Sequence, residues 1–361
     1  MLDHDEEIQD VFGWLTGRGP AQEDLDESGL RALSNWIDTG SPETAESGDT
    51  FGTHEAITHT RRNLADLTSA QHVRLRSAYA ALNTSSNKSW GRFVFLHRVV
   101  GSIVHGHAEL RFLPWHRLMV WKFEQLLRGA SDGGGVFVPY WTWWQDARTG
   151  RKGLPPLWAD FRPNVLFPDL GDADFLRTIG SLFASDVRTA LGVSVAEMIN
   201  LVVASVLDDG GNSILGTSLP VTRIARSTLL GGTRSAAGRD LPDRTAVRNA
   251  LGRTTFADMS RALESVHGRP HMWVGDNGRT DGRMADVEMS PCDPLFYFHH
   301  AEVDRLWHLW QVRTGIRTTW TMTGAQMPPW SERLVQTMDI SAAPLEFAYE
   351  NRPLDDPFAT P

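Results

Sequence analysis

The sequence predicts a mainly α-helical fold organised around a histidine-lined interior. Four of the thirteen histidines fall within one short stretch, His97 to His116. Five more, His267, His271, His299, His300 and His308, lie between Glu264 and Gln311. Each stretch has a helical segment behind it. Imidazole is the common ligand for Zn, Cu, Fe and Ni, so two three-histidine sets on helices suit a facing pair of metal ions.

Composition narrows the class. With 361 residues, 41% hydrophobic and 22% charged, the chain can bury a large core as one or two domains. A net charge of −9 argues against nucleic-acid binding. A single cysteine, Cys292, removes disulfides and Cys-rich metal sites and is expected to be a buried structural thiol. The acidic start, MLDHDEEIQDVFGWL, lacks a signal-peptide pattern. The run near Leu201–Leu207 is far short of a membrane span. A cytoplasmic location is expected, or export with a partner that carries the signal.

The elements follow in order. Residues 1–50 read as an N-terminal extension with short helices near 5–16 and 28–36, and 40–53 as a loop. His4, His54, His59 and His72 stand among polar residues as ordinary surface or structural histidines. An amphipathic helix is expected over 61–83 from Leu64, Leu67, Val73, Leu75, Tyr79 and Leu82. Segment 90–105 reads as a buried helix carrying His97. A loop at 106–115 leads through Pro114 into a helix from His116 to about Arg128, closed by GASDGGG, and VFVPYWTWWQD is extended. Segment 147–260 is an elaborated middle lobe with a helix pair near 172–188 and 194–208. A helix from Thr255 to His267 follows; Gly268 and Pro270 should loosen it, although His267 and His271 keep i, i+4 spacing. After a Gly-rich loop at 273–294, a helix opens at Pro294 and carries Phe296, His300 and Asp304 near one face, with His308 structural. LEFAYENRPL (345–354) can form a strand. The end, 353–361, reads as a tail.

The metal chemistry is bounded by ligand type. There is no HExxH and no Cys to complete a structural zinc site. Two histidine triads without an obvious bridging carboxylate favour a redox pair, with copper modestly ahead of zinc.

The motifs also carry a resemblance. FLPWHRLMVWKFE (112–124) and DPLFYFHHAEVDRLWHLWQ (293–311) resemble the two copper signatures of the type 3 copper family: tyrosinases, catechol oxidases and haemocyanins. VPYWTWW (138–144) is similar to the family's aromatic segment. The resemblance covers roughly 51–352. It implies a four-helix bundle holding a dinuclear copper site, with long loops and the inserted middle lobe. His97, His107 and His116 match the ligands of the first copper, and His267, His271 and His300 those of the second. His105 competes with His97. His299 competes with His300, although adjacent helical residues point about 100° apart. Asp304 is placed to orient a ligand imidazole by accepting its distal N–H; a salt bridge to Arg305 or a neighbour is the alternative. Phe296 would pack the site or simply the core.

The family activity implied is oxidation of ortho-diphenols by O2, with monophenol hydroxylation added in tyrosinases; bacterial members include ortho-aminophenol oxidases. In many tyrosinases the residue after the second copper's first ligand is Asn, which with a nearby Glu holds a water that deprotonates the phenol. Here that position is Gly268, which has no side chain to hold a water. The residue after the next ligand is Met272. Glu264 matches the Glu or is a helix-surface carboxylate. The reading is therefore an oxidase of o-diphenols or o-aminophenols with weak or absent monophenol hydroxylation. A true tyrosinase is the alternative; a haemocyanin-like oxygen binder and a zinc hydrolase stand behind it. The implied partners are a small phenolic or aminophenolic substrate, O2 and a separate copper-delivery (caddie) protein, with no nucleic acid and no membrane.

Overall fold

The computed structural model describes residues 59–98, 111–131, 135–144, 156–159, 161, 163–167, 218–220, 241–275, 282–316, 326–327 and 330–359. Helices dominate. They are α1 (Ser69–Ala81), α2 (Ser89–Leu96), α3 (Phe112–Gly129), the single turn α4 (Pro156–Ala159), α5 (Arg244–Leu251), α6 (Phe256–Val274) and α7 (Pro294–Thr314). Strands are short and paired in twos. β1 (His59–Arg61) runs parallel to β6 (Phe347–Tyr349), with Arg61 opposite Tyr349; β2 (Asn164–Leu166) and β4 (Gln326–Met327) pair antiparallel with β3 (Ser218–Pro220) and β5 (Trp330–Arg333). Among the described residues no helix is long and apolar enough to cross a membrane.

Local chemistry sets the helix ends. Thr68 and Gln71 form a capping box: Thr68 Oγ1 accepts from the Gln71 N–H at 3.3 Å, and Gln71 Oε1 from the Thr68 N–H at 2.8 Å. This starts α1 later than the periodicity suggested, because 59–61 is claimed by β6. Val73, expected on the buried face, is 60% exposed. Thr255 caps α6 and Asp293 caps α7, whose carboxylate accepts from the Leu295 N–H at 2.8 Å with Pro294 in the first turn. Gly315 closes α7 at φ 69°, a left-handed conformation glycine adopts without strain.

Two expectations are corrected here. α3 begins at Phe112, four residues before His116, since Pro114 is tolerated in a first turn whose N–H groups have no intrahelical partners. α6 does not loosen at Gly268 and Pro270 but continues to Val274. An internal proline costs about 3 kcal/mol; here burial of Leu263, Pro270, Trp273 and Val274 offsets it.

α7 packs on α3 and α6, and α6 on α3. Tyr297 stacks on Phe123 with ring centroids 3.7 Å apart, joining α7 to α3. α2 meets α7 through the turn Ser290–Cys292, where the buried Trp90 indole N–H donates to Pro291 O at 2.8 Å. Cys292 is a free, fully buried thiol, and burial raises its pKa.

Residues 353–359, taken from sequence as a tail, lie on the core. Asp355 is fully buried and accepts from the Tyr140 hydroxyl at 2.7 Å, while its carbonyl accepts from Arg305 at 2.8 Å. Arg248 donates to Pro357 O, and Arg313 lies 3.2 Å from the Phe358 ring centroid. The helices read near 5–16, 28–36, 172–188 and 194–208 fall outside the described residues.

Candidate metal centre

The site gathers where α2, α3, α6 and α7 meet. His97 stands at the C-cap of α2, His116 in the second turn of α3, His267 and His271 one turn apart on α6, and His300 on α7. All are buried. Four of these rings are held the same way. The Nδ1–H of His97 donates to Glu288 O at 3.3 Å, that of His116 to Phe112 O at 2.8 Å, that of His267 to Glu264 O at 3.1 Å and that of His271 to Met284 O at 2.9 Å. A carbonyl only accepts, so Nδ1 carries the proton in each neutral ring and Nε2 keeps a lone pair.

Those lone pairs converge. Nε2 of His97 and Nε2 of His116 lie 3.5 Å apart, an arrangement two neutral acceptors adopt comfortably only with a cation between them. The ligand atoms of His267, His271, His299 and His300 all lie within 4.8 Å of one another. His300 also stacks on His116 at 4.2 Å and 10°, so it links the two groups. Among the described residues neither ring nitrogen of His300 or His299 has a hydrogen-bond partner, although both side chains are buried. Unmade hydrogen bonds of this kind cost about 1–3 kcal/mol each. Burial, then the charge of neighbouring histidines, pushes His299 and His300 well below the ordinary imidazole range, so both are neutral at physiological pH. Converging imidazoles, with His299 and His300 neutral and without a hydrogen-bond partner among the described residues, are a donor set for a borderline or soft metal ion.

Aromatic rings close the cluster. Phe112 sits 4.9 Å from His116 and 4.8 Å from His267; Phe296 sits 5.1 Å from His97 and 4.3 Å from His300. Phe296 therefore packs the site directly. His299, which the helical angle set apart from the ligands, lies within the cluster, stacked on His267 at 5.1 Å and 12°. Its adjacency to His300 did not separate the two rings, because α6 presents two histidines that both can reach. His105 and His107 fall outside the described residues.

The remaining candidates separate. Glu264 is half-buried one turn before His267, and its carbonyl is what that ring bonds. Gly268 is half-buried, and a Cβ there would meet no described residue within 4 Å. Met272 is 39% exposed. Asp304 does not orient an imidazole. Its Oδ1 accepts from Arg117 Nε, its Oδ2 accepts from the Tyr349 hydroxyl at 2.5 Å, and Arg61 Nη1 is 3.6 Å away. One turn beyond His300 the helix faces this cation cluster, and buried guanidinium groups outcompete a neutral ring for the carboxylate. Arg305, the alternative partner, is taken by Glu302 in two bonds of 2.8 Å.

Sequence reasoning missed three kinds of contributor. The carbonyls of Met284 and Glu288 carry no side-chain signal. Arg117, next to His116, was legible only as the Arg of the HR dipeptide. Glu124 is fully buried and accepts from Arg61 Nε at 2.9 Å and from the Val138 N–H at 2.7 Å, with His59 on its other oxygen.

A helical core with clustered histidines on facing helices defines a candidate metalloprotein. A family model described as the common central domain of tyrosinase matches residues 87–166 and 223–313. A tyrosinase of Streptomyces glaucescens is 33% identical over 273 residues, 70% of this chain and 82% of its own. Grixazone synthase of Streptomyces griseus subsp. griseus is 30% identical over 289 residues, 71% and 85% of the two chains. In fold, the chain is similar to a tyrosinase from Burkholderia thailandensis, with TM-score 0.53 and 18% identity over 84% of this chain and 76% of that one. It is similar also to a functional unit of octopus hemocyanin, with TM-score 0.52 and 19% identity over 81% and 68%. The chain belongs to the tyrosinase family of copper oxidoreductases, whose cofactor is a pair of copper ions.

Proposed function

We propose that this protein uses O2 to oxidise o-diphenols or o-aminophenols to o-quinones or quinone imines, with weak or absent hydroxylation of monophenols. The observation that supports the reading most directly is Gly268. It follows His267, is half-buried, and has no described residue within 4 Å of where a side chain would otherwise stand. No side chain at this position can hold a water against an incoming phenol. An o-diphenol or o-aminophenol brings a second ionisable group and needs less help in losing its proton.

His97 and His116 would hold one copper, with His107 by resemblance, and His267, His271 and His300 the other. The metal pair supplies O2 binding and two-electron redox chemistry. The chain's contribution is to fix the tautomers of His97, His116, His267 and His271 through backbone carbonyls, keep His300 neutral by burial, and line the site with Phe112 and Phe296. Met272 follows His271 and is exposed, and in this reading it would contact a substrate ring.

The test is O2 uptake by copper-loaded protein with a monophenol, the matching catechol and an o-aminophenol side by side. The expected result is uptake with the last two and little with the first. Rapid monophenol turnover without a lag would overturn the reading and make the protein a true tyrosinase. That second reading rests on Glu264, half-buried one turn before His267.

A further inference from the structure

Two of the four tethered imidazoles depend on the same short segment. His116 and His267 donate to carbonyls of their own helices, so forming α3 and α6 orients them. His97 on α2 and His271 on α6 donate instead to Glu288 O and Met284 O, four residues apart between the end of α6 and the start of α7. We propose that residues 282–292 act as a bracket that orients one histidine of each copper half-site together, so that the two sites are set, and loosened, as a unit.

The bracket is fixed at both ends and in the middle. A Cβ on Gly275 would fall 2.1 Å from Ala285 N, and one on Gly282 would fall 2.6 Å from Gly275 Cα. The end of α6 and the turn Arg283–Ala285 therefore touch backbone to backbone, which only glycine permits. Asp286 Oδ1 accepts from the Met289 N–H at 3.3 Å, and its other oxygen lies 3.6 Å from Arg283 Nη1. Ser290 Oγ donates to Val287 O at 2.9 Å. Arg98, beside His97, pairs with Glu288 at 3.3 Å, and Trp90 on α2 donates to Pro291 O at 2.8 Å. Met284 and Glu288 thus flank Asp286, and a shift there moves both carbonyls. Ligands held by outer hydrogen bonds lose about 10–100-fold in metal affinity when those bonds are lost. Here one loss reaches both metals. The proposal goes beyond the choice of substrate and stands whichever phenol is oxidised.

The test reads the rings themselves. In the full chain loaded with copper(I) under argon, which is diamagnetic, histidine-labelled NMR follows exchange of each Nδ1–H with solvent. Asp286→Ala should speed exchange at His97 and His271 together, leave His116 and His267 unchanged, and weaken both coppers by about tenfold or more in chelator competition. Asp286→Asn keeps an acceptor for the Met289 N–H and should restore most of the protection. Trp90→Phe, which keeps the ring bulk but removes the bond to Pro291, should reproduce the paired effect if Asp286→Ala does not fold. Ser341→Ala breaks an exposed bond of 2.7 Å to Asp339 Oδ1, away from the bracket, and should move none of the four rings. A change at only one of His97 and His271, an equal change at all four, or loss of one copper alone would overturn the bracket.

Discussion

Replacing Glu124 with Gln tests whether the buried charges behind the copper helices contribute to stability. Burial by itself would raise the Glu124 pKa. The Arg61 guanidinium and the bonds from His59 and Arg61 more than reverse this, and hold it at about 2 against an ordinary 4.5. A depressed carboxyl pKa stabilises the folded state above the unfolded value, and that stabilisation is lost as pH falls towards the folded value. At about 1.4 kcal/mol per unit, the shift corresponds to about 3 kcal/mol, an order-of-magnitude figure for a buried pair. Glu124→Gln should therefore unfold about 3 kcal/mol more easily at neutral pH, in line with removal of one partner from a buried ion pair. The gap should close between about pH 4.5 and pH 2, as the wild-type carboxylate takes up its proton. Urea unfolding of both proteins, stripped of copper and followed by tryptophan fluorescence in steps from neutral to acid pH, measures the difference. Titrations of histidines that do not touch position 124 are common to both proteins and cancel in it. A gap that stays constant with pH, or one below about 1 kcal/mol at neutral pH, would refute the assignment.

Gly268→Asn should raise monophenol hydroxylation relative to catechol oxidation; with no described residue within 4 Å of that Cβ, urea unfolding should show stability within about 1 kcal/mol of wild type. Asp304→Asn should cost about 3–5 kcal/mol in unfolding experiments, because Arg117 and Arg61, both fully buried, lose their shared carboxylate, while copper affinity changes little. A large fall in affinity with unchanged stability would return Asp304 to an imidazole. His300→Ala should leave one copper per chain by metal analysis after desalting, and His299→Ala should leave two; the opposite pattern would exchange their roles.

What the sequence revealed and what it hid follow from how far each contact reaches. The i, i+4 pair His267–His271, the Asp293–Pro294 helix start and the LEFAYENRPL strand are local patterns, and each has its counterpart in α6, α7 and β6. α6 runs through Pro270 because tertiary burial outweighs a local rule. The parallel pairing of His59–Arg61 with Phe347–Tyr349 leaves no local trace, so 61–83 read as one helix. Asp304 was placed correctly one turn after His300 but given the wrong partner, since its true partners come from α3 and the last strand. The clustering of His299 with His300 depends on what α6 presents, which no angle along α7 encodes.

The link between Arg61 and Tyr349 has a further bearing, on how the protein is made. These residues lie 288 positions apart, and their side chains meet at 3.1 Å over the Asp304 that anchors the His300 helix. A growing chain on the ribosome exposes all the copper-binding histidines before Tyr349 exists, so the helix bearing His300 is not yet braced. Contacts this distant in sequence form late, after the cost of closing the loop between them has been met. Copper offered to the nascent chain would meet histidines without their final spacing. Bringing Arg61 to Tyr349 closes a loop of 288 positions that contains every helix bearing a described site histidine.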